Sequence, residues 1–181
     1  MKLVKMNGLG NDYVFADCIG ETLENPAALA VRISDRHFGV GSDGLILIGK
    51  SEKADFSMDI YNADGSRAEM CGNGIRCLGK YVYDHGYTTA DTISVETLGG
   101  IKILKLIVRD RVCEGAIVDM GEPVLTPKKI PVIWNDDTMI DREISIGGRP
   151  YRVTAVNMGN PHVVTFVKDV DGLNINAIGP L

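Results

Sequence analysis

The stretch from about residue 72 to residue 85 constrains the fold of this chain more than any other segment. Its small and apolar residues recur on one face at helical spacing: Ile75, Leu78, Gly79 and Val82. The segments on either side are short and β-like. A helix with one apolar face must bury that face against another element. The pattern therefore predicts a helix packed on a sheet, and an α/β (α+β) fold with a mixed sheet.

Short β-like segments make up most of the rest of the chain. We predict strands at residues 3–6, 12–17, 45–49, 55–61, 92–97, 101–108 and 112–119, and again at 143–147, 150–157 and 162–167. Asn25 followed by Pro26 predicts one further helix, since asparagine is a preferred N-cap and proline fits the first turn. We expect this helix to run to about His37 and to end at Gly39 and Gly41.

The sequence changes in texture near Gly121-Glu122-Pro123, where prolines become frequent and the polar run 135–137 follows. Composition shifts of this kind mark crossovers between structural units. We therefore predict a first half over residues 1–119 and the beginning of a second, incomplete half over residues 120–181.

Composition and charge restrict the partners and the compartment. Apolar residues form 45% of the chain and the net charge is -5, so nucleic acid and anionic membranes are disfavoured as partners. Polar residues at 7–12 interrupt any signal-peptide core, and the longest apolar run, 45–48, is too short to span a bilayer. We predict a cytoplasmic protein. The glycines of 39–44 follow a helix and lead into a strand, unlike a dinucleotide-binding loop, and no cofactor is expected.

Cys71 stands in the run Cys71-Gly72-Asn73-Gly74, just before the predicted helix. A thiol at a helix start lies beside unpaired N–H groups and the positive end of the helix dipole, which favour a thiolate and an anionic ligand. A buried, inert cysteine near a turn is an equal alternative. Zinc binding by Cys71, Cys77 and His85 is disfavoured by their spacing, so no metal is expected.

Three asparagines stand at predicted strand ends, each near a glycine: Asn11, Asn62 and Asn160. Each alone is most simply a turn residue. Together, their neutral amides suit the ammonium and carboxylate of an amino acid, because an amide both donates and accepts. His162 lies beside Asn160, where it is either a strand histidine bonded to backbone or a group that tunes a nearby thiol.

The second half echoes the first, because each contains a hydrophobic strand, a Gly-Asn pair and another strand. The two Gly-Asn pairs are Gly10-Asn11 and Gly159-Asn160. A true internal repeat and chance similarity are equal alternatives at this point. Cys71 follows Asn11 by 60 positions, so an equivalent second cysteine is expected near position 220, beyond Leu181.

Four separated motifs resemble those of the diaminopimelate epimerase family in their order and spacing. They are Lys5-Met6-Asn7-Gly8-Leu9-Gly10-Asn11-Asp12, Asn62-Ala63-Asp64-Gly65-Ser66, Cys71-Gly72-Asn73-Gly74-Ile75-Arg76-Cys77 and Met158-Gly159-Asn160-Pro161-His162. Met120-Gly121-Glu122-Pro123 is similar to the family's crossover. The resemblance covers the whole chain.

The resemblance implies two pseudo-symmetric halves, each with a mixed sheet around a central helix, and an active site between them. It implies a cofactor-independent isomerase that interconverts LL- and meso-diaminopimelate in lysine biosynthesis. One thiolate would remove the α-proton and a second thiol would return a proton from the opposite face. By motif, the first thiol is Cys71, its ionisation is influenced by His162, and the substrate contacts are Asn11, Asn62, Gly72, Asn73 and Asn160.

Two other interpretations stay open beside this one. Many family members have glutamine where this chain has Gly44, which leaves room for another amino-acid racemase of the same superfamily. The other is a non-catalytic fragment that binds a small acid or pairs with another chain. The resemblance also implies a small-molecule amino acid as ligand and a homodimer as candidate assembly. Without a second cysteine motif before Leu181, we expect little or no epimerase activity from this chain alone.

Overall fold

The computed structural model describes residues 1–181, which divide into two compact units, Met1–Met120 and Gly121–Leu181. The first unit contains eight strands and two helices. In chain order they are β1 (Lys2–Gly8), β2 (Asn11–Asp17), α1 (Pro26–Ser34), β3 (Gly44–Gly49), β4 (Phe56–Asn62), β5 (Arg67–Ala68), α2 (Gly72–Asp84), β6 (Thr92–Thr97), β7 (Gly100–Arg109) and β8 (Val112–Val118).

The eight strands form one mixed sheet in the order β1-β2-β3-β4-β6-β7-β8, with the short β5 paired to β4. Two pairs are parallel, β2 with β3 and β4 with β6, and the others are antiparallel. Parallel neighbours need a crossover connection. α1 supplies it between β2 and β3, and β5 with α2 supply it between β4 and β6.

Helix α2 is the central element of the first unit. It contacts β1 and β8, the two outer strands of the sheet, and also β2 and β7. The sheet therefore curls around this helix. The predicted apolar face is buried, because Ile75, Leu78 and Val82 are each 0% exposed in a core shared with both ends of the sheet. The predicted helix on a mixed sheet is confirmed.

Helix α1 covers the opposite face of the sheet. Along β2, Tyr13 and Phe15 belong to the core around α2, whereas Val14 and Ala16 belong to a second core under α1. Successive side chains of a strand point to opposite faces, which explains this alternation. Strand β2 is thus buried on both faces and is continuously apolar from Tyr13 to Ala16.

The predicted end of α1 is wrong, because the helix stops at Ser34 and does not reach His37. The carboxylate of Asp35 accepts from the N–H groups of His37 and Phe38, both at 2.7 Å. A side chain that captures backbone donors in this way offers the chain a turn in place of a further helical turn. The predicted start is confirmed, since the Asn25 side chain accepts from Ala28 N.

The second unit is built on a three-stranded antiparallel sheet in the order β11-β10-β9. Its elements are a short 3₁₀ helix at Pro127–Lys129, β9 (Arg142–Ile146), β10 (Arg149–Asn157), β11 (Pro161–Thr165) and α3 (Ile175–Ile178). Four buried side chains form its core: Ile130, Met139, Val153 and Ala155. Trp134 and three other partly buried side chains pack around them.

The predicted strands lie within a few residues of the observed ones in both units. Strand β1 extends further in each direction than predicted. Three short elements were not predicted at all: β5, the 3₁₀ helix and α3. None of the helices is long and apolar enough to cross a membrane.

Candidate active site

Cys71 is the N-cap residue of α2. Its backbone is extended, with φ -139° and ψ 106°, and its Sγ accepts a hydrogen bond from Gly74 N at 3.3 Å. The sulfur thus takes the place that an oxygen holds in an ordinary N-cap. The backbone N–H groups and the dipole of the first helical turn act on the same sulfur, and both stabilise negative charge there.

The glycines of this turn have different structural roles. A Cβ at Gly74 would lie 2.5 Å from Ile46 Cδ1, so any larger residue there would force the buried Ile46 side chain to shift. A Cβ at Gly72 would meet nothing nearer than Met120, at 3.8 Å. Nothing therefore crowds the Gly72 backbone beyond ordinary contact with Met120, and its N–H belongs to the unpaired first turn of the helix.

Asn11 is the residue that the structure places against the Cys71 sulfur. The thiol donates to Asn11 Oδ1 at 3.3 Å, across 60 residues of sequence. The other end of the amide, Nδ2, donates to Asp43 Oδ2 at 2.7 Å. A carboxylate only accepts hydrogen bonds, so Asp43 fixes the amide with its nitrogen away from the sulfur and its oxygen toward it.

Asp43 is in turn held by the start of β2 and by a cation. It accepts from Asp12 N at 3.0 Å and from Arg36 Nη2 at 3.0 Å. Arg36 and Lys5 also pair with the Asp12 carboxylate, at 2.8 Å and 2.9 Å. Hydrogen bonds from Arg36 and Lys5 hold the pKa of Asp12 well below its usual range. The network fixes the carboxylate that orients Asn11.

Asn62 and Asn73 lie on the same unit but make local contacts. Asn62 ends β4, where its Nδ2 donates to Ser66 Oγ at 3.0 Å, and it pairs with Gly44 across the sheet. Asn73 Oδ1 accepts from Arg76 Nη2 at 2.5 Å, one turn along α2. Among the predicted residues of this unit, Asn11, Gly72 and Asn73 therefore stand with Cys71 at the start of α2.

Asn160 and His162 belong to the second unit, where Asn160 lies in the turn between β10 and β11 and His162 is the second residue of β11. His162 Nε2 lies 2.9 Å from Asn160 Oδ1, and both residues are exposed. Gly159 adopts φ 100° in this turn, and its N–H donates to Asn157 Oδ1 at 2.8 Å. The two predicted residues are thus partners of each other within their own unit.

The other cysteines are placed differently from Cys71. Burial raises the pKa of the thiols of Cys18, Cys77 and Cys113. His85 caps the C-terminal end of α2, and a helix of this length separates it from Cys71 by about 20 Å. Cys71 and His85 therefore do not share a metal ion.

Sequence reasoning missed two side chains of this site, Asp43 and Tyr13. Tyr13 is 7% exposed and packs in the core around α2, against which Cys71 also packs; burial and the charge of Cys71 raise the pKa of Tyr13 to about 12. A signal for Tyr13 was available, because residues 11 and 13 of one strand share a face. Asp43 gave no such signal, since only the parallel pairing of β2 with β3 brings it to Asn11.

The sequence profile described as Diaminopimelate epimerase matches residues 3–126 of the chain. Diaminopimelate epimerase of Agathobacter rectalis is 56% identical over 188 residues and that of Acetivibrio thermocellus is 53% identical over 180 residues. These alignments cover 100% and 99% of the chain. The chain belongs to the diaminopimelate epimerase family.

The chain spans 66% and 64% of the length of these two relatives. The diaminopimelate epimerase of Methanococcus maripaludis is 50% identical over 181 residues, and the chain covers 65% of its length. The family resemblance seen in the four motifs is thereby confirmed, over the part of the relatives that the chain spans.

Solved structures share the fold at low sequence identity. A hydroxyproline epimerase from Agrobacterium vitis matches with a TM-score of 0.69 and 16% identity, over 96% of this chain and 53% of that one. A probable proline racemase from Agrobacterium radiobacter matches with a TM-score of 0.65 and 14% identity, over 98% and 52%. The expected fold class is confirmed.

Proposed function

We propose that the chain carries the first of two thiols of a diaminopimelate epimerase, and that Cys71 is this thiol. The observation that carries the proposal is the Cys71 sulfur at the start of α2, bonded to Gly74 N–H and to the Asn11 amide. Membership of the family suggests the substrate, an amino acid whose α-proton lies on the carbon next to its carboxylate. The chemistry needs no cofactor of its own, since two thiols exchange the proton.

In the proposed reaction, the Cys71 thiolate attacks one face of the α-carbon and removes its proton. The S–H bond forms as the C–H bond breaks, and the electron pair stays on the substrate, delocalised into its carboxyl group. A second thiol then donates a proton to the opposite face, which inverts the centre and leaves that thiol as a thiolate. The reverse direction uses the two thiols in exchanged roles.

The start of α2 supplies the anion site that this reaction requires. The N–H groups of Gly72 and Asn73 lie in the first turn of the helix, where backbone donors have no partner within the helix. We assign the substrate carboxylate to these donors, because a helix N-terminus favours an anion and their position is adjacent to the sulfur. The same N–H donors stabilise the negative charge that develops on the substrate as the α-proton leaves.

The remaining predicted residues complete the proposal. We assign Asn11, Asn62 and Asn160 to the polar groups of the substrate, and His162 to the ionisation of the thiols. The absence of any atom nearer than 3.8 Å to a Cβ at Gly72 supports close approach of a ligand there. We also propose that the protein works in the cytoplasm, in lysine biosynthesis. We further propose that it assembles as a homodimer, and sedimentation equilibrium would measure the mass of that assembly.

Isotope exchange tests the proposal directly. LL- and meso-diaminopimelate are incubated in heavy water with the product of the complete gene and, separately, with the 181-residue chain. Deuterium at the α-carbon is read by mass spectrometry. We expect exchange and epimerisation by the complete product, and less than one-hundredth of that rate from the chain.

Two cysteine variants of the complete product provide the matched comparison. Cys71→Ala should lower the exchange rate by at least about 1000-fold, the scale on which a proton-transfer group contributes. Cys77→Ala, on the same helix, should stay within a few-fold of the unaltered protein. Full exchange in Cys71→Ala would overturn the assignment, and faster exchange with proline or hydroxyproline than with diaminopimelate would overturn the substrate.

A further inference from the structure

Asp43 connects the chain segments that meet at the candidate site. It lies directly before β3, where its N–H donates to Asp12 O at 2.7 Å and its carbonyl oxygen accepts from Ala63 N at 3.0 Å. Its carboxylate accepts from the backbone of Asp12 and from the side chain of Asn11. Asp43 therefore holds the start of β2 beside the segment that follows β4, and the start of β2 carries the amide that contacts Cys71.

One oxygen of the Asp43 carboxylate determines which end of the Asn11 amide faces the sulfur. This oxygen, Oδ2, accepts from Asp12 N at 3.0 Å and from Asn11 Nδ2 at 2.7 Å. A carboxylate has no proton to donate, so an amide turned the other way would place its oxygen against Oδ2 without a hydrogen bond. Asn11 therefore presents Oδ1 to Cys71, at 3.3 Å from Sγ.

An accepting oxygen beside the sulfur favours the protonated form of Cys71. The thiol donates to Asn11 Oδ1, whereas a thiolate would face that oxygen with no proton between them. Gly74 N–H is different, because it donates to the sulfur. A sulfur that has one donor fewer holds an arriving proton more firmly, and this favours the transfer of a proton from carbon.

We propose that Asp43 is a positioning residue for proton transfer, which holds the Asn11 oxygen where it accepts the S–H bond that Cys71 forms. The proposal rests on the proposed function, in which Cys71 is the reactive thiol. The proton moves from the α-carbon to the sulfur, and the electron pair of the C–H bond stays on the substrate. Without Asp43, the amide is free to turn Nδ2 toward the sulfur, where it would stabilise the thiolate instead.

The side chains around the start of α2 allow this role to be measured by pH. Its charged and titratable neighbours come from β1, β2, β7, α2 and the segment before β3: Lys5, Asp12, Tyr13, Arg36, Asp43, Arg76, Cys77 and Lys102. Burial, followed by the charge of Cys71, raises the pKa of Tyr13 to about 12 and also raises the pKa of the Cys77 thiol. Both stay protonated near neutral pH, and the other six are fixed charges.

The first test is the pH profile of Cys71 alkylation by iodoacetamide in the 181-residue chain, read by mass spectrometry of the Cys71 peptide. Asp43→Ala should speed alkylation at pH 7 by about five-fold, the scale of one hydrogen bond, and move the profile to lower pH. Asp43→Asn is the matched variant. The Asp12 N–H requires an acceptor, so the new amide oxygen takes the place of Oδ2, and the profile should stay where it is.

The second test measures proton transfer, which should change in the opposite direction. In the complete gene product, Asp43→Ala should slow deuterium exchange at the α-carbon of diaminopimelate by about ten-fold, and Asp43→Asn should retain most of the rate. Faster alkylation together with slower exchange is not the result of a loosened fold. Loosening would also speed alkylation of the buried Cys77, and this outcome would overturn the proposal.

Asn11→Ala provides a variant that leaves the bonds of Asp43 to Asp12 and Arg36 in place. It removes the accepting oxygen, so the Cys71 profile should again move to lower pH, and adding Asp43→Ala should cause no further shift. A further shift would overturn the proposal, as would equal shifts in Asp43→Ala and Asp43→Asn, which would indicate an effect of charge. If Cys71 of the unaltered chain reacts no faster than Cys77, the proposed function fails instead, so the two failures are distinguishable.

Discussion

Cys71 and Cys77 lie six residues apart on one helix, yet the structure gives their thiols different surroundings. Cys71 caps the start of α2, where a backbone N–H and an amide contact its sulfur. Cys77 lies about one and two-thirds turns further along. It is 8% exposed, and burial raises the pKa of its thiol. Helix position, and the strand end that faces it, are therefore the reason that we propose Cys71, and not Cys77, as the reactive thiol.

When each cysteine is replaced by serine, the losses in the free energy of unfolding should differ by about 2 kcal/mol between the two positions. Cys71→Ser should cost little, because serine is itself a preferred N-cap and its oxygen can accept from Gly74 N. Cys77→Ser should cost about 2 kcal/mol, since it buries a hydroxyl among apolar side chains. Urea unfolding followed by far-UV circular dichroism measures both.

Equal losses in the two serine variants would contradict the comparison. The only tryptophan, Trp134, lies in the second unit. Its fluorescence therefore provides an internal control, and neither substitution in the first unit should alter the tryptophan signal of the folded protein at low urea.

Gly74→Ala should lower the free energy of unfolding by about 1.5 kcal/mol, despite the better helix propensity of alanine, because overpacking a full core costs energy. The new Cβ would lie 2.5 Å from Ile46 Cδ1, and Ile46 is 0% exposed. Ile46→Val removes that methyl group. In a double-mutant cycle, the pair should cost less than the sum of the two single changes.

Strict additivity in this cycle would contradict the expected clash between a Cβ at position 74 and Ile46 Cδ1. The cycle therefore tests the packing next to the Cys71 cap at the start of α2.

Acid should weaken the network that orients Asn11. The pKa of Asp12 is held below its usual range by Arg36 and Lys5, so its contribution is complete above about pH 5 and is lost as the pH falls below about 4. Asp12→Asn should therefore cost about 1 kcal/mol at pH 7, a small value because both cations are partly exposed and screened, and clearly less at pH 2. Urea unfolding at the two pH values measures this, and an equal cost at both would contradict it.

The sequence predicts the helix α2 and the thiol at its start because both signals are local. The apolar period of residues 75–82 and the Cys-Gly-Asn-Gly run need no knowledge of distant residues. The four motifs also suffice to predict the family and therefore the fold. Most strands could be located from their β-like pattern, although their ends differ by a few residues.

The contacts that prepare the site could not be predicted from local pattern. Asp43 reaches Asn11 across 32 residues through a parallel pairing of strands. The end of α1 was missed for another reason, because the Asp35 side chain captures two backbone donors where helical periodicity continues. Tyr13 pairs directly with Gly44 in the parallel ladder of β2 and β3. The hydrophobic pattern alone does not give this register.

Competitive alkylation of Cys71 and Cys77 in one sample tests the central claim most directly. The folded chain is exposed to a limiting amount of iodoacetamide at pH 8, and the two peptides are quantified by mass spectrometry. We predict that Cys71 is modified about 100-fold faster than Cys77, and that the ratio falls to near one in denaturant. A ratio near one in the folded chain, or faster modification of Cys77, would contradict the assignment of Cys71 as the reactive thiol.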